Sequence, residues 1–87
     1  MRALFVGGTV DNSELDLEGD APPLRYPPES GGRVTRYRLH QVGQREGETA
    51  YAVYADPDMA TGEVDRIVEE RAYARRFEAE PAQVENR

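Results

Sequence analysis

Two neighbouring stretches at the N-terminus most constrain what this chain can fold into. Arg2 leads a continuous apolar run, Ala3-Leu4-Phe5-Val6, that stops at Gly7-Gly8. A run of this kind suits a strand covered on both faces. The next stretch, Glu14-Leu15-Asp16-Leu17-Glu18, alternates, with Leu15 and Leu17 on one side and Glu14, Asp16 and Glu18 on the other. That is the period of a half-buried strand. Turn formers at Val10-Asp11-Asn12-Ser13 separate the two. The pattern predicts a hairpin of strands 2–8 and 13–18, closed by Gly19-Asp20.

Beyond the hairpin, Pro22-Pro23, Pro27-Pro28 and Gly31-Gly32 forbid a regular ladder over residues 20–32. Leu24 and Tyr26 are placed to tack this loop onto a core. Residues 33–42 read as a strand with Thr35, Tyr37, Leu39 and Gln41 on one face and Val34, Arg36, Arg38, His40 and Val42 on the other. Residues 43–48 read as a glycine-containing hairpin loop, and residues 49–55 as the next strand, with Tyr51 and Val53 opposite Tyr54. Thr61 is placed to cap a helix with Glu63 and Asp65 in its first turn. Val64, Ile67, Val68 and Ala72 share one stripe of that helix, and Tyr73 and Phe77 fall nearly opposite. The helix is therefore expected to end near residues 72–74, with 75–79 extended or irregular. The expectation is an α+β fold, β-β-loop-β-β-α: a four-stranded, mostly antiparallel sheet with one helix packed on one face. Residues 1–79 would form a single domain and residues 80–87 a flexible polar tail.

At 87 residues with 38% apolar content, one modest core is possible. The chain has no cysteine, which excludes disulfides, thiolate metal sites and cysteine nucleophiles. No apolar run approaches the roughly 18–20 residues of a membrane span, and no leader peptide is expected, so the reading is a cytoplasmic protein without membrane contact. Every basic residue is arginine, as a GC-rich coding sequence would favour. The net charge of −6 is uneven. Residues 1–20 carry one Arg against five acids, residues 21–47 five Arg against two acids, and residues 48–87 five Arg against ten. The acidic total opposes general phosphate binding, with the basic middle segment as the exception.

Residue patterns for chemistry are few. An EF-hand loop wants acids at its first, third and fifth positions, Gly at the sixth and Glu at the twelfth. Counting from Glu14, Asp16, Glu18 and Gly19 fit, but Arg25 takes the twelfth place and Pro22-Pro23 sit inside the loop. Gly7-Gly8 lacks the following Lys-Ser/Thr of a phosphate loop and reads as turn geometry. His40 is the only histidine, and neither Ser13 nor Ser30 lies in a nucleophile elbow. Pro22 to Pro28 has the wrong spacing for a polyproline ligand. No catalytic residue, cofactor site or metal site is expected, and the chain reads as non-enzymatic.

The leading candidate surface is the strand Arg36-Tyr37-Arg38-Leu39-His40, with Arg36, Arg38 and His40 as a cationic stripe about 7 Å apart. Tyr51 and Tyr54 are candidate base-stacking groups beside it. The acidic stripe of Glu14, Asp16 and Glu18 is expected to lie next to this stripe, each cross-strand pair contributing roughly 0.2–1 kcal/mol. If the stripes do not neutralise each other, either one is free to bind. The function expected is a protein-interaction module, pairing with itself or with a partner by strand addition. The alternatives are nucleic-acid binding through Arg36–His40, or an acidic surface that mimics nucleic acid.

The start Met1-Arg2-Ala3-Leu4-Phe5-Val6-Gly7-Gly8, the turn at Asp11, the later Tyr37-Arg38 strand and Tyr51-Ala52-Val53-Tyr54 before a short helix resemble small uncharacterised proteins of bacteriophage and prophage genomes. The resemblance touches most of residues 1–72. Where those proteins have Asp-Gly in the first turn, this chain has Asp11-Asn12. It implies a bacterial or phage cytoplasmic setting and carries no activity or site residue with it.

Overall fold

The computed structural model describes residues 1–27 and 36–84. In chain order the elements are β1 (Arg2–Val6), a 3-10 turn (Gly8–Val10), β2 (Glu14–Asp16), β3 (Arg25–Tyr26), β4 (Tyr37–Arg45), β5 (Glu48–Ala55), α1 (Thr61–Glu70), α2 (Tyr73–Phe77) and β6 (Glu80–Gln83). The strands form one six-stranded sheet in the order β2-β1-β5-β4-β3, with β6 also paired to β4. The fold is α+β, as the sequence predicts, but the sheet is mixed and has more strands than expected.

The main departure is at the centre, where β1 and β5 run parallel from Arg2↔Tyr51 to Val6↔Ala55. Their apolar runs explain the placement: Leu4, Val6, Tyr51, Val53 and Ala55 are buried on one face, and Ala3, Phe5, Ala52 and Tyr54 on the other. Strands with two apolar faces belong in the middle of a sheet. β2 pairs antiparallel with β1 as expected, but over only three residues (Glu14–Asp16), all exposed.

The β4–β5 hairpin is tighter than the six-residue loop read from the sequence. Its turn is Glu46-Gly47, with φ of 53° and 80°. Two positive φ values define the primed turn whose twist matches the flanking strands. The expected strand at 33–42 also shifts: β4 starts at Tyr37, and residues 33–35 lie outside the described residues, as do Pro28 and Gly31-Gly32. A bulge between Leu39 and Gln41 leaves His40 without a partner on β5. His40 and Gln41 consequently both reach the helix side of the sheet, and Val42 packs on the opposite face.

α1 starts at Thr61 itself, with Ala60 in the cap position and no side-chain cap. Val64 and Val68 are buried against the sheet and Ile67 packs beside them. Ala72 then turns left-handed, at φ 54°. This break resolves the phase conflict between the two stripes, because the chain restarts as α2 at an angle that brings Tyr73 and Phe77 onto Tyr51. Residues 73–77 are therefore helical, not extended. The expected polar tail is also corrected: Glu80–Gln83 forms β6, in register with β4 from Gln41↔Gln83 to Gln44↔Glu80. Residues 85–87 lie outside the described residues.

The helices cover one face of the sheet. On the other, the segment after β2 crosses from the β2 edge to β3, and Leu17 and Tyr26 pack onto the Phe5–Tyr54 cluster. Its crossing is pinned by the Tyr54 hydroxyl donating to Pro23 O at 2.8 Å and by the Thr49 N–H donating to Asp20 Oδ1 at 2.6 Å. Leu24, expected to help, is 60% exposed. No helix among the described residues is long and apolar enough to cross a membrane.

Candidate interaction cleft

The sequence-predicted candidates are not brought together. Glu14 and Asp16 lie on β2, at the far side of the sheet from β4, with β1 and β5 between. They do not pair with Arg36 and Arg38. Arg2, next to β2 on β1, reaches Glu14 at 3.2 Å and Asp16 at 2.7 Å. Arg76 of α2 adds a two-pronged pair to Glu14, both bonds at 2.7 Å. The Arg76 hydrogen bonds are the main reason the Glu14 carboxyl titrates below its ordinary range. Glu18 is exposed.

On β4 the cationic stripe is interrupted. Arg36 donates to Pro27 O at 3.2 Å, and Arg38 stands opposite Arg25 of β3. His40 is buried, with Nε2 2.6 Å from Asp65 Oδ1. The same Asp65 oxygen accepts from Gln83 Nε2 at 2.8 Å, so one carboxylate ties the β4 bulge, α1 and β6 together. The Gln83 bond first, then the His40 bond, lowers the Asp65 pKa. Tyr51 and Tyr54 have no exposed surface and are core residues rather than stacking platforms. Burial, with Tyr26 nearby, pushes the Tyr54 hydroxyl up to about 12.

A different place on the molecule has the shape of a site. It begins at Gly7 and Gly8, where β1 ends with φ of 85° and 67°. These glycines are more than turn formers. A Cβ on Gly7 would run into Met59 Sδ, and one on Gly8 into the Tyr37 hydroxyl. That hydroxyl donates to Gly7 O at 2.8 Å and accepts from the Val10 N–H at 3.3 Å, which fixes the 3-10 turn. From the other side, Asp11 Oδ1 accepts from the Gly7 N–H at 2.7 Å. Arg71 holds both Asp11 oxygens, at 2.9 and 3.0 Å. The Gly7 bond, then Arg71, keeps the Asp11 carboxyl below the usual range.

The turn so fixed walls a cleft of about 510 Å³ on the face away from the helices, lined chiefly by Phe5, Val10, Leu15, Tyr26, Pro27 and Tyr37. Ser13, Glu14 and Asp56 contribute to its margin. Phe5 forms the floor, edge-on to Tyr37 with centroids 5.5 Å apart and to Tyr26 at 5.7 Å. Three large apolar residues are exposed among the described residues, and two of them, Val10 and Leu15, line this cleft. Its chemistry is that of an apolar receptor with few polar groups, a common form of binding site. The sequence signal is weak: the alternation groups Leu15 with Leu17 on the apolar side of β2, and only its 40% exposure distinguishes it as a rim residue.

A second cavity, of about 450 Å³, lies between the helices and β6, with Asp65, Glu69, Arg75 and Gln83 in its walls. It is the more polar of the two, and its carboxylate Asp65 already serves the His40–Gln83 junction. No protein-family model, no curated protein and no solved structure matches this chain.

Proposed function

We propose that this protein is a small non-enzymatic protein-interaction module, and that the cleft beside β2 is where its partner docks. The observation that carries this reading is the coincidence of the cleft with two of the three exposed large apolar residues. Exposed apolar surface gathered around a concavity favours association, whereas scattered single residues do not. The ionisable groups nearest to a catalytic constellation, His40 and Asp65, are engaged in joining three elements, which supports an interaction role over an enzymatic one. The bacterial or phage cytoplasmic setting implied by the N-terminal resemblance belongs to the same proposal.

The test is site-specific photocrosslinking in cells. A photoreactive phenylalanine analogue at position 15 is expected to give discrete protein adducts, and the same analogue at Arg66, on the exposed side of α1, none. Absence of adducts from position 15, or equal labelling from both positions, would overturn the reading.

A further inference from the structure

The second cavity, on the helix side of the sheet, holds a buried amide with an unused donor. The bulge at His40 turns Gln41 toward the helices, and Gln41 is only 8% exposed. Its Oε1 accepts from the Tyr51 hydroxyl at 2.9 Å, which orients the side chain and leaves Nε2 as the other end of the amide. Nε2 has no hydrogen-bond partner among the described residues. No fully enclosed side-chain nitrogen or oxygen among those residues lacks a partner, so Nε2 touches open space, and the cavity that Gln41 lines is this one. Polar groups in a protein interior are almost always satisfied, and an unused donor at the inner end of a cavity is a place for an acceptor.

The charged lining sorts into committed and uncommitted groups. The Asp65 carboxylate is committed to His40 and Gln83. Glu69 of α1 and Arg75 of α2 also line the cavity, and both are exposed. Neither side chain forms an ion pair or hydrogen bond with any described residue. Exposed lone charges select nothing by themselves, but these two flank a buried donor that calls for an acceptor. A plain anion would meet Gln41 and Arg75 at the cost of repulsion from Glu69 and Asp65, and a plain cation would leave Nε2 unanswered. A molecule carrying both charges satisfies Gln41, Arg75 and Glu69 together. Val68 and Pro81 supply apolar wall for the rest of it.

We propose that this cavity binds a free α-amino acid with an apolar side chain. Its carboxylate accepts from Gln41 Nε2 and pairs with Arg75, its ammonium pairs with Glu69, and its side chain lies on Val68 and Pro81. The volume, about 450 Å³, is in the ordinary range for a small-molecule site. The site lies across the sheet from the docking cleft and does not depend on it.

Leucine is the probe, with two relatives that each lack one charge: isocaproate has no ammonium and isoamylamine no carboxylate. Each is titrated to about 10 mM into the isotope-labelled chain, and the Gln41 side-chain amide resonance is followed together with the backbone amide of Ala74, which also lines the cavity. Leucine should move both saturably, and each relative should bind about fivefold to tenfold more weakly. Glu69→Gln, at an exposed position, should erase the preference for leucine over isocaproate. Gln41→Glu keeps an acceptor for Tyr51 and replaces the donor with an oxygen; followed at Ala74, it should weaken leucine at least about tenfold. An unmoved Gln41 resonance, equal binding of leucine and either relative, or a Glu69→Gln chain that keeps the full preference over isocaproate would each overturn the proposal. So would undiminished leucine binding in a folded Gln41→Glu chain.

Discussion

Tyr37→Phe tests how the cleft wall is held. The substitution removes one oxygen and leaves the ring, which keeps its edge-on contact with Phe5 at 5.5 Å. Two hydrogen bonds go with that oxygen, to Gly7 O at 2.8 Å and from the Val10 N–H at 3.3 Å. A typical intramolecular hydrogen bond contributes about 1 kcal/mol net. The Val10 bond is long and its residue is 39% exposed, so water replaces it readily; it is discounted to a few tenths. The Gly7 carbonyl is less accessible and retains most of its share. The expected loss is about 1–1.5 kcal/mol. With a urea slope of about 1 kcal/mol/M for a chain this small, the midpoint should fall by about 1–1.5 M with the slope unchanged. Tyr26→Phe is the control, because the Tyr26 ring also packs on Phe5 while its hydroxyl has no hydrogen bond among the described residues. A Tyr37→Phe midpoint no lower than that of Tyr26→Phe would refute the claim that this hydroxyl anchors the turn.

Three further outcomes follow from the same structure. Glu46→Asn should stabilise the chain by about 0.5–1 kcal/mol in urea denaturation, because Glu46 adopts φ 53° in a primed turn where Asn is better tolerated. Gly43→Ala should cost more than about 2 kcal/mol by the same assay, since the added Cβ would overlap the buried Tyr51 ring. Acid should destabilise the fold through Asp11, Glu14 and Asp65, whose carboxyls are all lowered in the folded state. A depressed folded pKa gives stability that is present above the unfolded value, near 4, and is lost as pH falls through the folded value. Arg71→Met with Arg76→Met should flatten the dependence of thermal midpoint on pH below about pH 4; an unchanged slope would refute the assignment.

Elements whose apolar period is local were legible in the sequence. The strands expected at 2–8 and 49–55 and the helix expected from Thr61 follow from their own residues and correspond to β1, β5 and α1. What escaped were features decided by tertiary contacts. The parallel pairing of β1 with β5 needs both strands buried on two faces, and a single stretch such as Ala3-Leu4-Phe5-Val6 does not name its neighbour. β6 carries Glu80, Pro81 and Gln83, a composition that reads as tail, and its strand state comes from the outer edge of β4. The Ala72 break was half visible: the phase conflict between Val68 and Tyr73 located it, but a second helical turn was the solution that buried both sets. The bulge at His40 carries no sequence signal, and it changed the side of every β4 residue after it.

The acidic stripe illustrates why charge pattern alone did not locate a partner. Glu14 and Asp16 could have been neutralised by any arginine that the topology brought near. Sequence distance favoured none, and the fold supplied Arg2 and Arg76 while placing Arg36 and Arg38 across the sheet. These exposed pairs contribute little stability individually, roughly 0.2–1 kcal/mol each. Arg76 nevertheless holds α2 against β2 through its two bonds to Glu14. An edge strand only three residues long is a short template, which is one way a sheet limits pairing with its own copies.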